Sequence, residues 1–483
     1  MTRAIMIQGT GSNVGKSLIV AGLARAFSKR GFSVAPFKPQ NMSNNAAVTQ
    51  DGGEIGRAQA LQAKAAGIAP ISDMNPILLK PETDTGAQLI VRGKRIKQQN
   101  ALTYMSSRRD LLPVVKNSFK QIAQGRELVL IEGAGSPAET NLRKGDIANM
   151  GFATELNIPV ILVGDIERGG VSAQIVGTHT VLNRQDQSQI CGFGINKFRG
   201  EIRLLDDLLR DITQRTSWPN FGVIPWFNAA WKLPAEDIMD IKSQGSGDLI
   251  IAVPQFARIS NFDDLDPLAA EPSIQIKIIK PGRPIPGNAN LVMLLGSKST
   301  ISDLAFLRAQ GWDVDIAAHI RRGGHLIGLC GGFQMLGQTI EDPNGIEGKA
   351  TKVNGLGYLE IKTILTKRKR LANQKACCTL SNSNVEGYEI HMGRSTGNSL
   401  SKPWFKMDGK NEGAIANGGQ IKGTYLHGIF ISDEFRASFL NNFGQKSQIA
   451  HDDEIEKTLN DLSKHLETYM NLDHILKASR VIN

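Results

Sequence analysis

The chain has little cysteine, and its cysteines show none of the spacings that hold small folds together. Only four occur among the 483 residues, and no two form a Cys-x-x-Cys pair: Cys191, Cys330, Cys377 and Cys378. Without disulfide or zinc-site spacing, the sequence predicts a reduced protein, which is typical of the cytoplasm. Its stability must then come from hydrophobic cores.

Long apolar runs are also missing. Runs such as "IPVILVG" are far shorter than the about 20 residues that span a bilayer, and the N-terminus has no apolar stretch followed by a cleavage site. We therefore expect a cytoplasmic protein without a membrane partner. The net charge is +10, but the basic residues are scattered, apart from a run at 367–370 that we interpret as a solvated loop. Without a zinc-finger or RNA-binding signature, this charge favours small anionic substrates over nucleic acid.

Short apolar runs alternate with amphipathic stretches along most of the chain. "AIMI", "LVLI", "PVILV" and "ICGFGI" are typical of buried strands, while Ile19, Leu23 and Phe27 give 16–30 a helical face that ends before Gly31. This alternation predicts an α/β fold with two doubly wound domains. The predicted divisions are a first domain at 1–240, a polar linker at 241–250, a second domain at 251–450 and a helical segment at 451–483.

The first candidate site is a glycine-rich loop in "GTGSNVGKS". It follows a predicted strand and precedes a predicted helix, so its backbone N–H groups and the helix N-terminus are suited to phosphate. Lys16 would reach the outer phosphates and Ser17 would bind Mg²⁺. The strict pattern fails at one place, where Thr10 replaces the first glycine. The predicted nucleotide-binding residues of the loop are Thr10, Gly11, Ser12, Asn13, Val14, Gly15, Lys16 and Ser17.

Polar residues also follow three other predicted strands of this domain. Glu132 follows "LVLI", Asp165 follows "VILVG", and Asn196 follows "GFGI". Ligands of open α/β sheets bind at the carboxyl ends of strands, and a carboxylate there is a reasonable Mg²⁺ ligand. Each residue alone could equally be a helix cap or a turn residue, but their shared position favours a functional role.

The second candidate site is "LIGLCGGFQ", where an apolar run ends at Cys330 and two glycines allow a tight turn into a helix. A thiol on such a turn is exposed at the sheet edge, and the N–H of Gly331 can point at an oxyanion. The alternative is a small buried cysteine. Gly296, in "LLGSKS", is a second candidate for an oxyanion donor.

The candidate base for this thiol is His427, which directly follows an apolar run in "GTYLHGIF". His391 in "YEIHMG" is a competitor. His325 lies in the strand that leads to Cys330, and we expect it to be structural.

With these residues in view, the sequence resembles the cobyric acid synthase family, glutamine-dependent amidotransferases of cobalamin biosynthesis, over nearly its whole length. The first half is similar to dethiobiotin-synthetase-type ATP domains, which share "GT…VGKS" and "EGAGS". The second half is similar to class I glutaminases, with their G-x-C-G-G-x-Q turn. More specific are "APFKPQNMS" (35–43), "DGGEIGRAQALQA" (51–63), "DMNPILLKP" (73–81) and "RISNFDDLDPL" (258–268).

The resemblance implies an ATP-dependent amide synthetase domain, a glutaminase domain and a defined reaction. The b, d, e and g carboxylates of adenosylcobyrinic acid a,c-diamide become amides, giving adenosylcobyric acid, with one glutamine and one ATP for each. Cys330 would form a glutamyl thioester, His427 would move the proton, and ammonia would displace phosphate from an acyl phosphate. The implied partners are glutamine, ATP, Mg²⁺ and a corrinoid polycarboxylate.

Further site residues are carried over from the family. Ser17, Asp51 and Glu132 are the implied Mg²⁺ ligands, and Asn196 is the implied residue near the base of the nucleotide. Asp51 and Asp165 could serve the substrate instead.

The sequence departs from the glutaminase pattern at one position. Class I glutaminases carry a glutamate two residues after the histidine, where this chain has Ile429. Either another group orients His427, or the site works as a Cys–His dyad.

The sequence also has features of two other classes of enzyme. One is a related amidotransferase acting on the a and c side chains of cobyrinic acid or on another acceptor. The other is a partitioning-type ATPase, but Gly11 occupies the position where such proteins carry a signature lysine.

Overall fold

A computed structural model describes residues 1–82, 86–234 and 243–482, and the chain forms two compact units. The first unit contains Met1–Ser43, Thr49–Leu233 and Ile455–Asn483, and the second contains Asn44–Val48 and Pro234–Glu454. The predicted linker at 241–250 begins on residues outside the described part of the chain. The predicted domain boundaries therefore stay predictions.

The strands are β1 (Arg3–Gly9), β2 (Val34–Phe37), β3 (Gln40–Met42), β4 (Ala46–Val48), β5 (Glu54–Gly56), β6 (Ile77–Pro81), β7 (Gly86–Val91), β8 (Lys94–Asn100), β9 (Leu128–Glu132), β10 (Val160–Asp165), β11 (Ile190–Phe198), β12 (Asn220–Pro225), β13 (Leu249–Pro254), β14 (Ile274–Ile279), β15 (Leu291–Leu294), β16 (His325–Leu329), β17 (Thr339–Asp342), β18 (Thr351–Asn354), β19 (Lys362–Ile364), β20 (Arg370–Cys378), β21 (Asn384–His391), β22 (Arg394–Thr396), β23 (Phe405–Met407), β24 (Lys410–Glu412), β25 (Ala414–Ala416), β26 (Ile421–Thr424), β27 (Leu426–His427) and β28 (Arg480–Val481).

The α-helices are α1 (Lys16–Lys29), α2 (Arg57–Ala65), α3 (Ala101–Ser107), α4 (Leu112–Ala123), α5 (Met150–Glu155), α6 (Val171–Val181), α7 (Arg184–Gln189), α8 (Asp206–Thr216), α9 (Asp266–Ala269), α10 (Thr300–Ala309), α11 (Trp312–Arg321), α12 (Gly331–Met335), α13 (Asp433–Asn441), α14 (His451–Tyr469) and α15 (Leu472–Ala478).

The main sheet of the first unit has the order β12-β11-β10-β1-β9-β2, and all neighbours in this path are parallel. β1, β9 and β10 are buried almost throughout, as their continuous apolar runs predict for strands covered on both faces. The predicted helix at 16–30 is α1, and Ile19, Leu23 and Phe27 are buried on its inner face. The predicted α/β class is confirmed.

The end of the chain completes the core of this first unit. Leu459, Leu462 and Leu466 of α14 are buried in one cluster with α1. A Cβ at Gly22 of α1 would lie 2.5 Å from Cδ1 of Leu466, so glycine at this position allows the two helices to pack closely. β28 then pairs antiparallel with the start of β1, at Arg3.

The second unit is built on a sheet with the order β14-β13-β15-β16-β26-β25, in which β25 is antiparallel and the other neighbours are parallel. A separate antiparallel sheet of the same unit has the order β24-β23-β20-β21-β27. The Cys330 turn follows β16, and His427 ends β27. In the described residues, no helix is long and apolar enough to cross a membrane.

Candidate functional site

The glycine-rich loop of the first unit follows β1 and leads into α1, as predicted. Asn13 and Gly15 have positive φ angles of 59° and 98°. Asn196, at the end of β11, donates from Nδ2 to the carbonyl of Val14 at 2.8 Å. A Cβ at Gly15 would lie 2.2 Å from that Nδ2 atom, so the close approach of Asn196 requires glycine. The structure thus places Asn196 against the loop.

Lys16 lies over the same loop. Its Nζ atom contacts the carbonyl oxygens of Gly11 at 3.0 Å and of Gly135, in "EGAGS", at 3.3 Å. The two sequence blocks that suggested a nucleotide site therefore meet at this ammonium group. At the start of the loop, Thr10 donates from Oγ1 to Gln174 at 2.9 Å.

Glu132 lies beside the loop because β9 is the parallel neighbour of β1. Its Oε1 atom accepts from Ser17 Oγ at 2.8 Å and from Lys38 Nζ at 2.7 Å. Its Oε2 atom accepts from Gln62 Nε2 at 2.5 Å and from Gln59 Nε2 at 3.3 Å. Lys38 directly follows β2, the other neighbour of β9, so the carboxyl ends of three adjacent strands supply this cluster.

Two of the three predicted Mg²⁺ ligands are therefore together. Ser17 and Glu132 supply the oxygen donors that Mg²⁺ prefers, so the pair fits the ion, although Lys38 already occupies one oxygen of Glu132. Asp51 is bonded elsewhere: it is exposed and accepts from the backbone N–H of Ser72 at 3.1 Å and from its hydroxyl at 3.1 Å. No cluster of three or more His, Cys, Asp or Glu residues suited to a metal occurs in the described ranges.

Asp165 supports the loop from the next strand. It pairs with Lys197 at 2.8 Å, and Lys197 Nζ also donates to the carbonyl of Asn13 at 2.6 Å. Its other carboxylate oxygen accepts the backbone N–H of Glu167 at 2.8 Å. These contacts connect Asp165 to the predicted loop through Lys197.

In the second unit, Cys330 lies on a sharp turn between β16 and α12. Its φ and ψ are 52° and −104°, a conformation that non-glycine residues rarely adopt. A Cβ at Gly332 would lie 2.0 Å from the carbonyl oxygen of Leu294, so only glycine fits after the turn. The backbone N–H of Cys330 donates to Thr424 at 2.8 Å, which ties the turn to β26.

The predicted oxyanion residues lie at this turn. A Cβ at Gly331 would lie 2.8 Å from the backbone nitrogen of Ser297. A Cβ at Gly296 would lie 3.3 Å from Cε1 of His427. The structure thus brings Gly331, the 296–297 loop and the predicted base together beside Cys330.

His427 is 1% exposed, and its Nδ1 atom lies 2.7 Å from Oδ2 of Asp264. The other oxygen of Asp264 accepts the backbone N–H of Gly428 at 2.6 Å. Within the described chain, the buried Nε2 atom of His427 has no hydrogen-bond partner. The group that holds the histidine is thus Asp264, where the sequence left another group or a dyad open.

Burial lowers the pKa of His427, but the charge and hydrogen bond of Asp264, together with Cys330, outweigh it and raise the pKa to about 10. Burial also raises the pKa of Asp264, against the influence of His427, so each partner competes for the proton. We place the proton on His427, because both oxygens of Asp264 face N–H groups, of His427 and of Gly428, and acceptance at both oxygens favours the ionised carboxylate.

The competing histidines are engaged elsewhere. His391 stacks on Tyr425 with 3.8 Å between ring centroids, its Nδ1 atom lies 3.1 Å from the Gly393 carbonyl, and its Nε2 atom lies 3.5 Å from Glu389. His325 packs its ring edge-on against Phe443, which agrees with a structural role.

Sequence reasoning missed Asp264 and Lys38. Both stand in the blocks quoted for the family resemblance, "RISNFDDLDPL" and "APFKPQNMS". The paired acids 263–264 and a lysine just after a strand were the available signals, but neither could be assigned a partner without the fold.

Two family models match the chain. The model described as CobQ/CobB/MinD/ParA nucleotide binding domain covers residues 5–241, and the model described as CobB/CobQ-like glutamine amidotransferase domain covers 250–435.

Similar proteins named cobyric acid synthase match over essentially the whole chain. The protein from Ruegeria sp. (strain TM1040) is 59% identical over 477 residues, which is 99% of this chain and 99% of that protein. The protein from Rhodobacter capsulatus is 56% identical over 479 residues, 99% of this chain and 100% of that protein.

Proposed function

This chain belongs to the cobyric acid synthase family, and we propose that it amidates the b, d, e and g carboxylates of adenosylcobyrinic acid a,c-diamide, using glutamine and ATP. Membership makes it an amidotransferase of cobalamin biosynthesis with a nucleotide-binding domain. The acceptor, the intermediates and the roles of individual residues are the proposal.

Ammonia is released in the second unit. The thiolate of Cys330 attacks the side-chain amide carbon of glutamine, and the backbone N–H groups at Gly331 and the 296–297 loop stabilise the oxyanion. His427 gives its proton to the departing ammonia, which leaves a glutamyl thioester. Neutral His427 then takes a proton from water, whose attack releases glutamate and restores the Cys330 thiolate and protonated His427.

The acceptor is activated in the first unit. A carboxylate oxygen of the corrinoid attacks the γ-phosphate of ATP, giving an acyl phosphate and ADP, and ammonia then displaces phosphate to form the amide. Lys16 and the loop N–H groups would hold the phosphates, and Asp165 steadies the loop through Lys197. Asn196, which donates to the Val14 carbonyl of the loop, would lie near the base of the nucleotide. When bound at Ser17 and Glu132, Mg²⁺ would neutralise charge on the transferred phosphoryl group.

The observation that carries this proposal is the thiol turn at Cys330 beside the buried His427–Asp264 pair. A thiol and a base held by a carboxylate are what amide cleavage through a thioester requires. A neutral, structural cysteine would not need a strained backbone conformation or an oriented histidine.

The test combines the protein with ATP, Mg²⁺, glutamine and adenosylcobyrinic acid a,c-diamide, and follows the corrinoid by mass spectrometry. Stepwise conversion of four acids to amides is the expected result. The Cys330→Ala variant should lose activity with glutamine and keep it with free ammonia. An unchanged corrinoid, together with glutamine hydrolysis and ATP binding, would mean that the acceptor is wrong.

A further inference from the structure

We propose that Tyr388 and Asn261 are positioning residues for His427, and that residues 44–48, from the first half of the sequence, complete this support. The proposal rests on the glutaminase role proposed for His427. Neither residue touches the reacting atoms in this scheme; each acts through the imidazole ring.

Tyr388 fixes the face of the imidazole ring. It lies directly opposite His427 where β21 pairs with β27, and the two rings stack with 5.2 Å between centroids and 14° between planes. The hydrogen bond from Nδ1 to Asp264 holds one edge of the ring but permits rotation about that bond. A stacked ring against one face removes this freedom, so Nε2 keeps its direction toward the thiol turn.

Tyr388 is held at its hydroxyl group. The hydroxyl donates to Asp263, with oxygen distances of 2.9 and 3.1 Å to the two carboxylate oxygens. It also accepts from Nδ2 of Asn261 at 3.2 Å. The adjacent acids 263 and 264 therefore serve the same imidazole by two routes: Asp264 directly and Asp263 through Tyr388.

Asn261 connects this arrangement to residues far earlier in the sequence. Its Nδ2 atom also donates to the carbonyl of Ala46 at 3.1 Å, so both of its amide hydrogens have partners. Asn261 is 2% exposed and has a positive φ of 53°, so its side chain is fixed in a buried, strained segment. Without Ala46, one buried N–H would lose its partner, which is costly.

Residues 44–48 belong by their packing to the second unit, although 1–43 and 49–233 belong to the first. They connect two of the blocks that are specific to the family, 35–43 and 51–63. The support of the glutaminase histidine thus uses a carbonyl from the part of the sequence that also carries the nucleotide site.

The test compares Tyr388→Phe, which keeps the stacked ring, with Tyr388→Leu, which removes it. With glutamine, we expect kcat to fall about 3- to 10-fold for Tyr388→Phe and about 100-fold for Tyr388→Leu, with KM for glutamine changed less than about 3-fold. Activity with free ammonia should stay unchanged in both. Tyr358→Leu, a half-buried tyrosine of the same unit, is the matched control and should behave as the native protein.

Asn261→Gly removes the amide while keeping a residue that tolerates the positive φ. We expect its kcat to fall as in Tyr388→Phe, and the double variant to be no worse than about 2-fold below either single one, because both remove the same anchor. If the decreases in kcat of the two single variants multiplied in the double variant, the connection through Asn261 would be wrong.

A second readout is the rate of Cys330 alkylation by iodoacetamide at a fixed pH, followed by peptide mass spectrometry. Displacement of His427 should slow alkylation in Tyr388→Leu, because the thiolate loses its positively charged partner, but should change it little in Tyr388→Phe. An unchanged alkylation rate and unchanged kcat in Tyr388→Leu would overturn the proposal. If Cys330→Ala kept its glutamine-driven activity, the proposed function itself would fail instead.

Discussion

Asp264 binds both the side chain and the backbone of the histidine segment: Oδ2 lies 2.7 Å from Nδ1 of His427, and Oδ1 accepts the N–H of Gly428 at 2.6 Å. Asp264 precedes His427 by 163 residues. The position two residues after the histidine is Ile429, which is fully buried and apolar. The carboxylate that orients the imidazole thus comes from a short 3₁₀ helix, Phe262–Leu265, that is distant in sequence.

Replacing Asp264 with asparagine should lower glutamine-dependent kcat by about 10²- to 10⁴-fold, since an amide can donate to Nδ1 and hold the wrong tautomer. The amide oxygen can still accept from Gly428, so the local backbone should be retained. Steady-state kinetics with glutamine checks this result. Ammonia-driven amidation should continue at the native rate, and equal losses in both assays would contradict the assignment.

Lys16→Met should lower amidation about 100-fold or more with either nitrogen source, because the loop loses the charge that steadies the phosphates. Lys16→Arg is the matched control, since it keeps the charge but changes its shape. Measuring corrinoid amidation with glutamine and with ammonia in parallel tests this prediction. A loss confined to the glutamine assay would place Lys16 outside the phosphate site.

Glu412 should make the stability of the second unit depend on pH. It accepts hydrogen bonds from the Thr424 hydroxyl and from the Tyr425 N–H at 2.8 Å, and burial raises its pKa to about 7. Because the folded-state pKa lies above the ordinary value of 4.5, its contribution is present in full below pH 4.5 and is lost as pH rises through 7.

Glu412→Gln, which stays neutral, should therefore gain stability relative to the native protein between pH 5 and pH 8, by up to about 3 kcal/mol. Urea unfolding of both proteins at several pH values across this range gives the difference. A difference that did not change with pH would show that the native carboxyl is already ionised at pH 5.

Leu466→Ala should lower the free energy of unfolding of the first unit by about 2–5 kcal/mol, because the side chain is 1% exposed and packs on α1. Thermal unfolding measured with and without ATP checks this. Alkylation of Cys330 should keep its native rate, since that residue belongs to the other unit. Exposed Leu204 supplies a matched Leu→Ala control, for which we expect little change.

The local features of both sites could be predicted from sequence, because they depend on short spacings. The loop at 10–17, the turn at Cys330 and the helical face of α1 each lie within one strand–turn–helix unit, and the α/β fold follows from their alternation. Placement of these features next to one another depended on the order of the strands. That order brings Lys38 to Glu132 and leaves Asp51 with Ser72.

The sequence could not predict which side chains contact one another when they lie far apart along the chain. The contacts from Asp264 to His427 and from Asn261 to Ala46 join residues 163 and 215 positions apart. No periodicity extends over such distances, and an acid in a short 3₁₀ helix, such as Asp264, has the same sequence appearance as a helix cap. Asp51 makes a short-range contact instead: although it lies in a block that is specific to the family, it accepts hydrogen bonds from Ser72, 21 residues later.

Because α14 and α15 pack in the first unit, the cores of the two units are completed in a fixed order during synthesis. A ribosome finishes the continuous stretch 234–454 before it makes Leu459, Leu462 and Leu466, whose side chains the core around α1 requires. The start of the first unit is thus translated before the second unit, but its core around α1 is completed after it. A stalled or prematurely terminated chain would carry a second unit able to fold and a first unit whose core is unfinished.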